Sequence, residues 1–271
     1  MRFLEKLRAG ERAVTLEITP PRKQQGEVLL RRARLLGDHA DAVNVIQRSG
    51  RQTSLDASLV LRAAGIEPVW HIVTRGRARA EIEAEIESAA GADLPAALCV
   101  RGDHEGGDQA DTPKLREVMA WVRAALPEAC LGATLNQYGP ESRVLRNLWP
   151  KLEAGADFVQ TNPVLDVGAL AGAALAIRRE FPDVFLVPMV MPLTSREQAE
   201  RIAARIGIPV PADHASRLAA DGTRGGWEIF EETIRSLRSE GLADGLAIMT
   251  PQMDPPPEVT DRIAGILARS S

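Results

Sequence analysis

Short stretches in which apolar and polar positions alternate recur along this chain, each followed by a longer stretch with helical spacing. In "AVTLEI" (13–18), Val14, Leu16 and Ile18 are apolar, with Thr15 and Glu17 between them. That period of two is the signature of a strand. Comparable runs are "DAVNVI" (41–46), "EPVWHI" (67–72), "AALCVR" (96–101), "CLGATL" (130–135), "DFVQT" (157–161), "VFLVPM" (184–189) and "GLAIMT" (245–250). Helical patterns are expected at 27–36, 54–64, 78–90, 113–125, 142–154, 167–181, 196–206 and 227–240, with a last helix over 258–268. An amphipathic pattern opens the chain, and segment 207–224 reads as an extra short helix before the next helical pattern resumes. The run "RAEIEAEIE" reads as a solvated helix face with paired charges.

Strands that alternate with helices favour a parallel sheet, because each crossover helix returns the chain to the same edge. Eight such units predict a single-domain α/β fold, a (β/α)8 TIM barrel spanning 1–271. A doubly wound open sheet is the alternative. The first strand is not followed by G-x-G-x-x-G, which weakens that assignment.

Length fits this picture: 271 residues suit one barrel. Charge narrows the partners. Lys and Arg total 33 against 37 Asp and Glu, a net charge of −4, so neither nucleic acid nor an anionic membrane surface is expected. With no long apolar leader, a cytoplasmic location is expected. Cys99 and Cys130 sit in apolar runs and read as buried thiols. No histidine or cysteine spacing suggests a metal site. A homo-oligomer is left open, since apolar helix faces can cover either the barrel or a neighbouring copy.

Barrel chemistry sits at the C-terminal ends of the strands, which acts as a filter. It selects Glu17, His71, Arg101-Gly102-Asp103, Asn136 and Gln137, Gln160-Thr161-Asn162, Met189 to Pro192 and Met249 to Gln252. Glu17 and Asp103 would face one mouth, where burial and repulsion can drive two carboxyl pKa values apart. Plainer readings stand beside these: a salt bridge for Asp103, a core position for His71, a turn at "RGD" and another at Asn162-Pro163.

At these positions the chain resembles the methylenetetrahydrofolate reductases. "LEITPPR" is similar to their E-x-x-P-P segment, "HIVTRGRAR" to H-x-T-x-x-x-x-x-R, and "LCVRGD" to L-A-L-R-G-D. "KLEAGADFVQTN" is similar to K-x-x-A-G-A-D-F-x-x-T-Q, and "VPMVMPLTS" to P-x-x-G-I-M-P-I-x-S. The five lie in order at predicted strand ends. The resemblance implies a barrel that binds FAD and reduces a folate methylene group to methyl with NAD(P)H. It implies that Glu17 is the general acid that opens the folate ring, and that Asp103 contacts the pterin and tunes the flavin. It implies flavin contacts at His71, Arg101 and Gly102, with Asn136 also at the cofactor. Asn147 and Lys151, in "RNLWPK", would hold the adenosine-diphosphate side of FAD, and Asn162 would orient the substrate. Being short, the chain is expected to be a bare catalytic barrel.

The chain also departs from that family. It has "VNVIQRSG" in place of V-T-Y-G-A, "TLNQYGPE" in place of Y-P-E-G-H, and Asn162 in place of glutamine. The eighth strand ends "AIMTPQ" where the family has H-F-Y-T-L-N, and Ile18-Thr19 stand where two phenylalanines are usual. Tyr138 is the single tyrosine. Three functions stay open: a flavoprotein reductase, a flavin-free reductase with direct hydride transfer from NAD(P)H, and a pterin- or methyl-group-binding barrel of a methyltransferase system.

Overall fold

A computed structural model describes residues 2–102, 111–208 and 210–269. Eight strands close into a parallel barrel in chain order: β1 (Ala13–Ile18), β2 (Ala42–Val45), β3 (Pro68–Val73), β4 (Ala96–Val100), β5 (Cys130–Leu135), β6 (Phe158–Pro163), β7 (Phe185–Val190) and β8 (Gly245–Met249). Closure comes from β1 pairing with both β2 and β8. The open-sheet alternative is thereby excluded.

Helix α1 (Arg2–Arg8) precedes β1. The crossovers are α2 (Gly26–Ala33), α3 (Ser54–Ala63), α4 (Arg79–Gly91), α5 (Leu115–Ala125), α6 (Glu141–Leu152) and α7 (Gly168–Glu180). Between β7 and β8 run α8 (Arg196–Ile206), the extra helix α9 (Ala212–Asp221) and α10 (Thr223–Ser239), and α11 (Pro257–Arg269) follows β8. Helix ends obey local chemistry. Thr53 and Ser195 accept hydrogen bonds from the backbone N–H groups of Asp56 and Gln198, both at 3.1 Å, at the starts of α3 and α8. Gly207, at φ +72°, ends α8 in the left-handed conformation that a Cβ disfavours. On α4, Arg79 meets Glu83 at 2.8 Å, one of the paired charges expected of that face.

Alternation along each strand sorts side chains into two cores. Outward residues such as Leu16, Val45, Trp70 and Val159 pack under the helices. Inward residues such as Ala13, Leu98, Phe158 and Val187 fill the lower barrel, together with Phe3 and Leu7 of α1. Phe3 meets Phe158 edge-on, with ring centroids 5.6 Å apart, so α1 stoppers the N-terminal end of the barrel. Cys99 and Cys130 are both buried free thiols.

One device recurs at that closed end. Asp41, Asp157 and Asp244 each stand one residue before a strand, and each exchanges two hydrogen bonds with the preceding strand. Their backbone N–H groups donate to the carbonyls of Val14, Leu131 and Leu186 at 2.7–2.8 Å. Their carboxylates accept the N–H groups of the same three residues at 2.9, 2.7 and 2.6 Å. Lys6, Arg123 and Arg178 neutralise the three acids. Charge-assisted bonds of this kind fix register where no chemistry is needed.

Gly132 of β5 is required by packing. A Cβ there would fall on the Phe158 ring and lie 2.8 Å from Leu98 Cδ1. Gly132→Ala is expected to overpack the lower barrel and lower the unfolding free energy by about 1–3 kcal/mol, read as a shifted urea midpoint at unchanged slope.

Candidate active site

The upper barrel interior is polar where the lower one is apolar. Thr15 and Glu17 share the inner face of β1, and Glu17 pairs in register with Asn44 of β2. Asn44 Nδ2 donates to Thr15 Oγ1 at 3.0 Å and to Gln160 Oε1 of β6 at 2.7 Å. Gln160 Nε2 faces Glu17 Oε2 at 3.4 Å. Thr15, Asn44 and Gln160 are buried, and Glu17 stands half-buried above them.

Burial pushes the Glu17 carboxyl from an ordinary 4.5 up to about 7, against the opposing pull of Arg205 on α8 and of the Gln160 amide. Water would stabilise the carboxylate, and the barrel interior supplies little of it. A carboxyl that ionises near neutrality can hold a proton and release it at working pH.

The chain's exit from β1 is clamped. Arg32 of α2 donates to Thr19 O at 2.8 Å and forms a two-pronged pair with Asp254 after β8, at 3.0 and 2.5 Å. Arg51 donates to Pro20 O and the Gln52 N–H to Pro21 O, both at 3.0 Å. Prolines cannot donate but their carbonyls accept, so three successive carbonyls are held by three donors. This fixes the backbone that carries Glu17.

The other expected site residues are distributed unevenly. His71 lies buried on β3 with Nε2 unpartnered, and burial lowers its pKa to about 3, so the imidazole is neutral. Arg101 and Gly102 lie at the end of β4. Gly102 has φ +96°, and a Cβ on it would lie 2.5 Å from Val73 Cγ1, so glycine is needed there on two counts. Asp103 lies outside the described residues. Asn136 is exposed at the end of β5, and its side chain accepts the Tyr138 N–H at 3.1 Å. Asn162 is half-buried at the end of β6, where the register with β7 shifts, and its carbonyl accepts from Gln137 Nε2 at 3.0 Å.

The expected grip on an FAD diphosphate does not fit the chain as folded. Lys151 Nζ donates to Thr134 O at 2.6 Å, and burial lowers its pKa to about 8 against the opposing pull of Cys99. Its charge is thus engaged inside the barrel wall, while Asn147 on the same helix is exposed. Candidates for stacking on a ring system are also committed elsewhere. Trp70 faces the helices and donates to Glu85 at 2.8 Å. Tyr138 donates to Pro163 O at 2.7 Å and accepts the Leu165 N–H at 2.8 Å.

Sequence reasoning flagged Gln160 only as a strand-end polar residue and passed over Thr15 and Asn44. The available signal was parity: Thr15 shares a face with Glu17, and Asn44 interrupts an apolar run.

Barrel and mouth together define a (β/α)8 protein in which, among the described residues, the half-buried acid Glu17 stands over a polar interior. The methylenetetrahydrofolate reductase family model matches residues 2–255, and the chain belongs to that family. No curated protein matches it. Among solved structures, a Clostridium thermocellum protein described as binding two copies of 5-methyl-5,6,7,8-tetrahydrofolic acid aligns at TM-score 0.67 and 15% identity, covering 97% of this chain and 96% of that one. Mycobacterium tuberculosis tryptophan synthase aligns at TM-score 0.56 and 14% identity, covering 99% and 96%. At such identities the likeness is one of fold. Among the described residues, no helix is long and apolar enough to cross a membrane.

The raised Glu17 pKa links to stability. The folded chain holds this proton more tightly than the unfolded chain, so the contribution favours folding below about pH 4.5 and is lost as pH climbs through 7. Glu17→Gln should therefore leave stability nearly unchanged at pH 3. At pH 8 it should raise stability by roughly 2 kcal/mol, a value discounted for the partial exposure of Glu17. Urea unfolding of both chains across that pH range reads the difference.

Proposed function

We propose that this chain reduces 5,10-methylenetetrahydrofolate to 5-methyltetrahydrofolate with NAD(P)H, and that Glu17 supplies the proton. The observation that carries the reading is a carboxyl poised near pH 7 at the mouth of a barrel of this family. The folate ligand described for the Clostridium thermocellum barrel lends support.

The chemistry follows from the atoms. The methylene carbon bridges two nitrogens in a five-membered ring and accepts hydride only as an iminium. Protonating one nitrogen lets its bond to that carbon break, and the other nitrogen becomes the iminium. Hydride from the nicotinamide then reaches the carbon as NAD(P)H becomes NAD(P)+, while Glu17 is left as a carboxylate to be reprotonated. A carboxyl with its pKa near 7 is a competent donor here, whereas one at 4.5 would be almost wholly ionised at neutral pH. His71, neutral and inward-facing, can offer a hydrogen bond without adding charge. Asn162 lies at the rim as the substrate-orienting amide.

The family's FAD route would need a diphosphate grip that Lys151, bonded to Thr134 O, does not offer. A second reading, in which nicotinamide reduces the folate directly, is favoured by one observation: Lys151 bonds to Thr134 O instead of standing ready for a diphosphate.

Two outcomes are expected. Glu17→Gln should lower folate reduction by at least a hundredfold while leaving nicotinamide binding intact. In the unaltered chain, kcat/KM for the folate should fall about tenfold per pH unit above 7. Equal loss of folate reduction and nicotinamide binding would make Glu17 structural. Visible absorbance of the purified chain after incubation with FAD separates the routes: a colourless chain that still oxidises NADH with the folate is the direct enzyme.

A further inference from the structure

The chain of side chains below Glu17 has a property that a merely structural network does not need. Each member can both donate and accept a hydrogen bond: the Thr15 hydroxyl, the Asn44 amide and the Gln160 amide. In the arrangement observed, Asn44 Nδ2 donates to both Thr15 Oγ1 and Gln160 Oε1. Gln160 is thereby turned so that its N–H faces Glu17 Oε2, the arrangement a carboxylate wants. Its cost is visible, since Asn44 Oδ1 is buried without a partner.

The opposite sense is open to the same atoms. If both amides turn over, Gln160 Nε2 donates to Asn44 Oδ1, Thr15 donates to that same oxygen, and the Gln160 carbonyl faces Glu17. That carbonyl can bond to Glu17 only when Glu17 carries its proton. A buried carboxyl without a matching partner is costly in either protonation state, and a proton donor passes through both.

We infer that Asn44 and Gln160 are positioning residues whose hydrogen-bond chain, anchored on Thr15, reverses its sense as Glu17 loses and regains its proton. This deepens the reading of Glu17 as the acid and rests on it. No bond other than a hydrogen bond changes, and the only proton that moves on or off is that of Glu17. The charge acting on Glu17 is Arg205 from α8. Among the described residues, His71 on β3 also faces inward, and burial keeps it neutral. Lys151 and Cys99 face each other in the wall between the sheet and α6, and Arg32 and Asp254 neutralise one another beside the β1 exit.

The experiment follows side-chain resonances of the intact, ligand-free chain by NMR, with the Glu17 carboxyl assigned through Glu17→Gln. The side-chain amide signals of Asn44 and Gln160 should titrate with the same midpoint as the Glu17 carboxyl and become flat in Glu17→Gln. Gln160→Met, which removes the donor to the carboxylate, should move the Glu17 midpoint up by about one unit. Thr15→Val, two side chains away, should move it by a smaller measurable amount. A Glu17 midpoint unmoved in both variants, or amide signals flat across the wild-type titration, would overturn the inference. Should Gln160→Met fail to fold, the wild-type amide titration and Thr15→Val still decide it. No substrate is used, so a chain that shows the coupled titration but never reduces folate would sink the reductase reading alone.

Discussion

The barrel interior has to be filled, and it excludes most water while being filled. Below, Phe3, Phe158 and Leu98 meet that demand with apolar bulk, and α1 seals the end. Above, Thr15, Asn44 and Gln160 meet it with polar groups, each of which must find a partner because solvent is not there to provide one. The behaviour of Glu17 follows from this division. The same shortage of water that obliges Asn44 and Gln160 to bond to each other also lifts the Glu17 carboxyl to about 7.

The two ends of the barrel divide labour accordingly. At the closed end, acids before β2, β6 and β8 are each paired with a cation and clip neighbouring strands together. These carboxylates have their charge neutralised on the spot and serve register. At the open end, among the described residues, the weak 3.4 Å approach of Gln160 and the charge of Arg205 act on Glu17 against the loss of solvent. The clamp on Thr19, Pro20 and Pro21 lets that acid keep its place without a strong bond of its own. Position is supplied by the backbone, and proton affinity is left to the environment.

The family resemblance and the folded chain part ways at the cofactor. The acid and its proline exit are kept, while a lysine expected at a diphosphate is drawn into the wall by Thr134 O. A buried ammonium needs an acceptor, and the nearest strand carbonyl provides one. The aromatic rings that might have faced a flavin serve packing or loop closure. For the proposed reaction, the residue that would supply the proton is thus kept, while the residues expected at a cofactor are differently engaged.

Much of this was legible in the sequence. Period-two runs and helical spacing marked all eight strands, the crossover helices and the extra helix α9, because burial on one face imposes those periods whatever the partner. Glu17 was legible as well, since it sits at a strand end before two prolines. Three features were decided only by tertiary structure. Parity puts Thr15 with Glu17, but barrel closure alone brings Asn44 of β2 and Gln160 of β6 to the same point, across a separation of 116 residues. Which way Trp70 and Lys151 point depends on what packs beside them. And a carboxyl's proton affinity depends on how much water it has lost, a property of the enclosed volume that no single stretch of chain carries.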